Sequence, residues 1–220
     1  LPAGALGGKL TYMDRPAPGK RVSLLARKGD AWVDATGADG NPLTAQADGA
    51  GIYHFPALPG STYRVVYLAQ EVPDGNGAPL PSREVAAWNS ADVTHRTGGT
   101  STVPDIEVTY NGLVYPDTGQ SYPVATELPL PFHWATHRHG RRYRLIVYGN
   151  REGRPPAFYQ GPWTDTPSAV LAQEAQPDLY AWEVFIDAGP NGEGRSGRRN
   201  LDLKPPAQAD PPAEEPAPEP

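Results

Sequence analysis

Ala45-Gln46-Ala47-Asp48-Gly49-Ala50-Gly51-Ile52-Tyr53-His54-Phe55-Pro56-Ala57-Leu58-Pro59-Gly60-Ser61-Thr62-Tyr63-Arg64-Val65-Val66-Tyr67 is the stretch on which the fold turns. A period of two places Tyr53 and Phe55 on one face of a strand and Ile52 and His54 on the other. Asp48-Gly49 and Pro59-Gly60 are turn formers on either side, and the run Tyr63 to Tyr67 alternates again. Two strands therefore flank a short crossing, and a small Greek-key sandwich is the closure they predict. Working toward the N-terminus, Lys9-Leu10-Thr11-Tyr12, Arg21-Val22-Ser23-Leu24-Leu25-Ala26 and Ala31-Trp32-Val33-Asp34 read as further strands. Arg15-Pro16-Ala17-Pro18-Gly19 and Gly37-Ala38-Asp39-Gly40-Asn41-Pro42 break them.

Composition agrees. The 220 residues include 24 Gly, 27 Pro and 11 Tyr, a balance of turn formers and strand-compatible aromatics rather than of helix formers at 3.6-residue spacing. With no cysteine, disulfides, thiolate metal sites and thiol nucleophiles are all excluded, so the core holds by packing alone. The sequence has no apolar run near the roughly 20 residues of a membrane-spanning helix. A formal net charge of −6 argues against nucleic-acid binding, which needs a clustered excess of Lys and Arg. The chain opens Leu1-Pro2-Ala3-Gly4-Ala5 without an initiator Met, as an exported chain does after leader removal, and leaves room for a lipid anchor upstream of Leu1.

The order of strand, Pro-rich turn, strand, and then Asp-Gly-x-Gly-Ile-Tyr-x-Phe-x-x-Leu-Pro-Gly-x-x-Tyr resembles the carboxypeptidase regulatory-like domain, also called prealbumin-like or CnaB-like. The match runs from Leu6 to Tyr67, with Ile106-Glu107-Val108 as the last strand. The resemblance implies a seven-stranded sandwich without activity of its own, attached to exported proteins. Relatives that form a Lys to Asn cross-link place the Lys in the first strand, where this chain has Lys9, but no Asn occurs in Ile106 to Val108 to accept it. The connection from Glu71 to Pro104 is longer than the family pattern, a length that marks function or partial disorder. It holds one apolar island, Val85-Ala86-Ala87-Trp88, in which Trp88 reads as capping a sandwich edge, with ligand stacking as the alternative.

A second strand series runs through Gly112-Leu113-Val114-Tyr115, Leu128 to Trp134, Tyr143 to Tyr148, Val170-Leu171 and Leu179 to Asp187. A Gly-rich hairpin turn from Asp187 to Gly194 and a closing strand from Arg198 to Leu203 complete it. Tyr143, Leu145 and Val147 alternate with Arg144, Ile146 and Tyr148, so one face is core and the other amphipathic. The turn Pro116 to Gly119, Pro131-Phe132-His133-Trp134, Tyr143-x-Leu145-x-Val147 and Leu179-Tyr180-x-Trp182-x-Val184 together resemble a bacterial fibronectin type III-like domain. That resemblance implies a structural and binding scaffold with no catalytic residues to carry over. Trp134 and Trp182 are expected to anchor the cysteine-free core.

The fold class expected is all-β: two consecutive Greek-key/Ig-like β-sandwiches with a disordered C-terminal tail. Residues 1–110 form the regulatory-like sandwich, 111–205 the fibronectin type III-like sandwich, and 206–220 the Pro/Glu-rich tail, whose prolines favour extended chain and whose acids repel one another.

The stretch that could carry chemistry is His133-Trp134-Ala135-Thr136-His137-Arg138-His139-Gly140-Arg141-Arg142. From His133 to Arg154 there are six Arg against one Glu, a basic loop on an acidic chain. His137 and His139, two apart, would share one side of a strand or open turn, a loose two-nitrogen metal pair. A third ligand at suitable spacing is missing and the arginines repel a dication, so no metal and no cofactor is expected. Asp39-Gly40-Asn41 and Asp187 to Glu193 lack the full alternation of a calcium loop and read as turns. The sequence has no Gly-x-Ser-x-Gly elbow and no Gly-rich phosphate loop, and its serines occur near no obvious set of base and acid partners. An exposed basic loop is instead where a sandwich recognises a partner. His137, His139, Arg141, Arg142, Tyr159 and Trp163 are the binding residues expected, facing a polysaccharide or envelope protein. The chain is therefore expected to be a non-catalytic exported cell-envelope, periplasmic or surface protein acting as a structural or adhesive module. The alternatives are a carbohydrate-binding accessory module of a secreted enzyme and a subunit of an envelope assembly.

Overall fold

The computed structural model describes residues 1–69, 84–110, 112–117, 120–123, 129–149, 156–171 and 175–205. The segments Pro73 to Pro81, Thr118-Gly119 and the tail 206–220, each given a reading above, lie outside the described residues. What is described is strand and turn throughout, apart from one turn of 3-10 helix at Gly189–Asn191.

In the N-terminal half the strands are β1 (Leu6–Tyr12), β2 (Arg15–Pro16), β3 (Arg21–Lys28), β4 (Ala31–Asp34), β5 (Thr44–Gln46), β6 (Ile52–Phe55), β7 (Ser61–Leu68), β8 (Ala87–Asn89), β9 (Val93–His95), β10 (Ser101–Thr102) and β11 (Ile106–Glu107). One layer is built on β1, which pairs antiparallel with β6 and β2 and parallel with β10 and then β11. The other is built on β3 and β7, with β4 and β5 on the far edge of β3 and β8 and β9 on the far edge of β7. Leu6, Leu10, Tyr53, Phe55 and Ile106 of the first layer and Val22, Leu24, Tyr63, Val65 and Tyr67 of the second are buried in one core. Tyr53 and Phe55 point inward and Ile52 and His54 outward, as their alternation requires.

Arg15-Pro16, expected only to break the first strand, instead returns against it, Tyr12 opposite Arg15 and Thr11 opposite Pro16. Met13 and Asp14 take φ of 51° and 62°, the left-handed pair of a tight hairpin turn. The buried Glu107 carboxylate holds that turn. It accepts hydrogen bonds from Thr11 Oγ1 (2.8 Å), Met13 N (3.1 Å), Asp14 N (3.3 Å) and Thr109 N (2.9 Å), enough donors to offset the cost of burying a charge.

The C-terminal half comprises β12 (Leu113–Tyr115), β13 (Ser121–Pro123), β14 (Leu130–Trp134), β15 (Arg142–Tyr148), β16 (Ala157–Gln160), β17 (Ser168–Leu171), β18 (Asp178–Asp187), β19 (Glu193–Arg195) and β20 (Arg199–Lys204). The layer β12-β14-β17 faces the larger layer of β16, β15, β18, β20 and β13. Between them Trp182 lies fully buried with its ring 4.9 Å from Phe132, edge to face, and Trp134 packs against Tyr143 at 6.1 Å. Such pairs add about 0.5–1.5 kcal/mol beyond area burial.

The larger layers of the two halves are one sheet. β19 turns back from β18 and pairs with β8, Glu193 opposite Asn89, Gly194 opposite Trp88 and Arg195 opposite Ala87. Trp88 is fully buried beneath this seam and donates from Nε1 to the Asn191 carbonyl at 3.2 Å. Gly194 is glycine because the Trp88 ring occupies the space a side chain would need: a Cβ there would collide with Trp88 Cε3 and Cζ3. The register carries a single polarity across both halves. Leu24, Val65, Trp88, Val184 and Leu145 lie on the inner side, while Leu25, Arg64, Asn89, Glu193, Phe185 and Arg144 lie on the outer.

Candidate binding face

The basic loop between β14 and β15 does not present its histidines to solvent as a pair. His137 is 3 % exposed and sits at the seam, its ring 4.7 Å from Trp88. Its Nδ1 accepts the His139 amide N–H (3.2 Å) and its Nε2 faces the Glu107 carbonyl (2.8 Å). Those partners fix the neutral tautomer with the proton on Nε2, since a carbonyl only accepts and an amide N–H only donates. Burial holds the His137 pKa below the usual imidazole range, against the opposing pull of the Glu107 carbonyl. His139 is half-buried and also lowered, by desolvation and then by the Arg138 charge. Arg138 pairs with Asp14 of the β1–β2 turn, and Arg141 is exposed at the loop's end with its amide bonded to the Asp187 carbonyl at 2.8 Å. Among the described residues no three His, Asp or Glu side chains come together as a metal site.

Arg142 and Trp163, by contrast, meet on the outer face of the sheet. After β16 the chain stays against the edge of β15: Gly161 N donates to the Leu145 carbonyl (2.9 Å), and Thr164 exchanges both backbone bonds with Tyr143 (2.8 and 2.7 Å). These bonds lay the Trp163 indole under two guanidinium groups, Arg144 at 4.5 Å and Arg142 at 5.5 Å from its ring centroid. Trp163 remains 36 % exposed and Phe185, opposite Arg144 in the register, 37 % exposed. Together with Ile146, Tyr148, Ala157 and Gln160 they line a shallow groove of about 260 Å³. Tyr159 does not join them; it stands opposite Val147, packs against the core, and its hydroxyl reaches the Val170 carbonyl at 3.4 Å.

Charge on this face is unevenly satisfied. Arg142 Nε donates to Asp187 at 3.0 Å, and that bond holds the Asp187 pKa below the usual carboxylate range. Arg195 and Arg198 share the buried Glu183 carboxylate at 3.8 and 3.6 Å, which also accepts the Tyr148 hydroxyl at 2.6 Å. Arg144 has no carboxylate partner among the described residues, and its Nε finds no acceptor. The Arg144 guanidinium is thus held by the indole and not by a carboxylate.

The sequence reading therefore contributed Arg142 and Trp163 to this face and passed over Arg144, Phe185, Ile146, Tyr148 and Gln160. The outward positions of the Tyr143 to Tyr148 alternation already name three of these. Phe185 had no such signal, because an aromatic flanked by Val184 and Ile186 reads as core until the strand register is known.

No protein family matches this sequence, and no curated protein does. Among solved structures, the Bacillus anthracis TIE protein is 15 % identical with a TM-score of 0.32, over 93 % of this chain and 32 % of its own. A streptococcal ancillary pilin is 14 % identical with a TM-score of 0.35, over 91 % of this chain and 62 % of its own. The fibronectin(III)-like modules of Clostridium thermocellum CbhA are 12 % identical with a TM-score of 0.30, over 90 % of each chain. This chain thus spans about a third of the first of these proteins, and the likenesses are too distant to transfer a ligand or an activity.

Proposed function

We propose that this chain is an exported, non-catalytic cell-envelope or surface protein, a structural and adhesive module whose second half carries the binding face. The observation that supports this reading is the outer-face groove: an exposed Trp163 fixed under Arg142 and Arg144, beside an exposed Phe185, on a rigid sheet. Large aromatics held in place by backbone bonds lose little conformational entropy on binding, so a flat face of this kind supports adhesion without a deep pocket. The seam at Trp88 and His137 joins the halves through a continuous sheet, which supports the structural part of this reading.

The test is retention of the purified chain on envelope extracts and polysaccharides of its own cells. Trp163→Ala removes an exposed ring, so it should leave the unfolding temperature within a few degrees while lowering retention at least tenfold, the scale of a stacking anchor. Equal retention of the variant, or robust turnover of a substrate by the native chain, overturns the reading.

A further inference from the structure

The groove's chemistry restricts what can fill it. Its floor is Trp163, Phe185, Ile146 and Tyr148, surfaces that suit the CH-rich face of a ring, and its rim offers the Gln160 amide and the Arg144 guanidinium. At about 260 Å³ and open to solvent, it has no tunnel for an acyl chain. Its lining is side chains of a sheet face, with Ala157 and Gln160 of the edge strand β16 at its border, so an occupant stacks on it without joining a backbone ladder. The charge present is modest. Arg142 is already engaged by Asp187, and Arg195 and Arg198 by Glu183, which leaves Arg144, the arginine of the groove lining, without an acidic partner among the described residues. A densely sulfated or phosphorylated polymer needs a cluster of free cations, whereas one planar fork matches one planar carboxylate per ring.

From these features we infer that the Trp163 groove binds the uronic-acid units of an acidic polysaccharide. The sugar face stacks on Trp163 and Phe185, and its carboxylate pairs with Arg144. This rests on the reading of the Trp163 face as the binding face, and names its ligand class.

The experiment titrates the full chain with tetragalacturonate, its methyl ester, a neutral tetrasaccharide and a sulfated tetrasaccharide, read by calorimetry and by the Trp163 indole N–H signal. Tetragalacturonate should bind saturably and shift the indole signal, and esterification should weaken it at least tenfold. Arg144→Gln should abolish that discrimination, and Arg144→Lys, which keeps the charge but loses the fork, should recover only part of it. Equal binding of the neutral sugar or the ester, tighter binding of the sulfated sugar, or unchanged uronate affinity in Arg144→Gln overturns the inference. Absence of uronate binding alongside Trp163-dependent retention on envelope extracts also overturns it, while leaving the binding-face reading intact. Uronate binding unaffected by both Trp163→Ala and Arg144→Gln sinks both.

Discussion

At the scale of single residues, His137 shows how a side chain suited to surface chemistry is consumed by structure. Both ring nitrogens are occupied and the ring is sandwiched at the seam, so protonating it costs the bond from the His139 amide. Because its folded pKa is depressed, the unfolded chain takes up a proton first as pH falls. Stability is complete above the unfolded value of about 6.5 and declines with pH from there down to the lower folded value. Urea midpoints should therefore fall between pH 7 and pH 5, and His137→Gln should make that slope shallower, with the remainder belonging to the half-buried His139. Midpoints independent of pH across this window would remove His137 from the account. Trp182 is the opposite case, a ring with a purely packing role. Trp182→Ala empties space beside Phe132 in a core without disulfides, and should cost about 3–5 kcal/mol in chemical denaturation.

Among the elements, β19 carries the most consequence for its length. Three residues, Glu193–Arg195, extend a sheet from one half into the other, and they fit only because Gly194 leaves its place to Trp88. A Gly194→Val chain should lose the seam while each half keeps its own layers. Calorimetry is expected to resolve two unfolding transitions where the native chain gives one, with the Trp88 indole N–H exchanging freely with solvent. One unchanged transition would mean that the pairing of β8 with β19 contributes little to cooperativity. The same logic explains the Trp163 groove. Its position depends on the edge bonds that Gly161 and Thr164 make to β15, and not on the basic loop between β14 and β15.

Over the whole molecule, the outer face of the joined sheet runs from Trp32, which lies against Arg64 at 4.4 Å, through Arg64 and Glu193, to Phe185 and Trp163. Alternation and turn chemistry by themselves determined the all-β class, the longer strands in their chain order, the inward set Tyr53, Phe55, Tyr143, Leu145 and Val147, and the buried Trp134 and Trp182. Each of those follows from a period of two along a local stretch of chain. Pairing partners far apart in sequence are not written in any local period. The meeting of β8 with β19, the burial of His137 and Trp88, the turning of Phe185 to solvent and the lack of an acid beside Arg144 among the described residues were decided only by tertiary structure. Register and burial depend on which surfaces meet, and a strand cannot carry that information until its neighbours are in place.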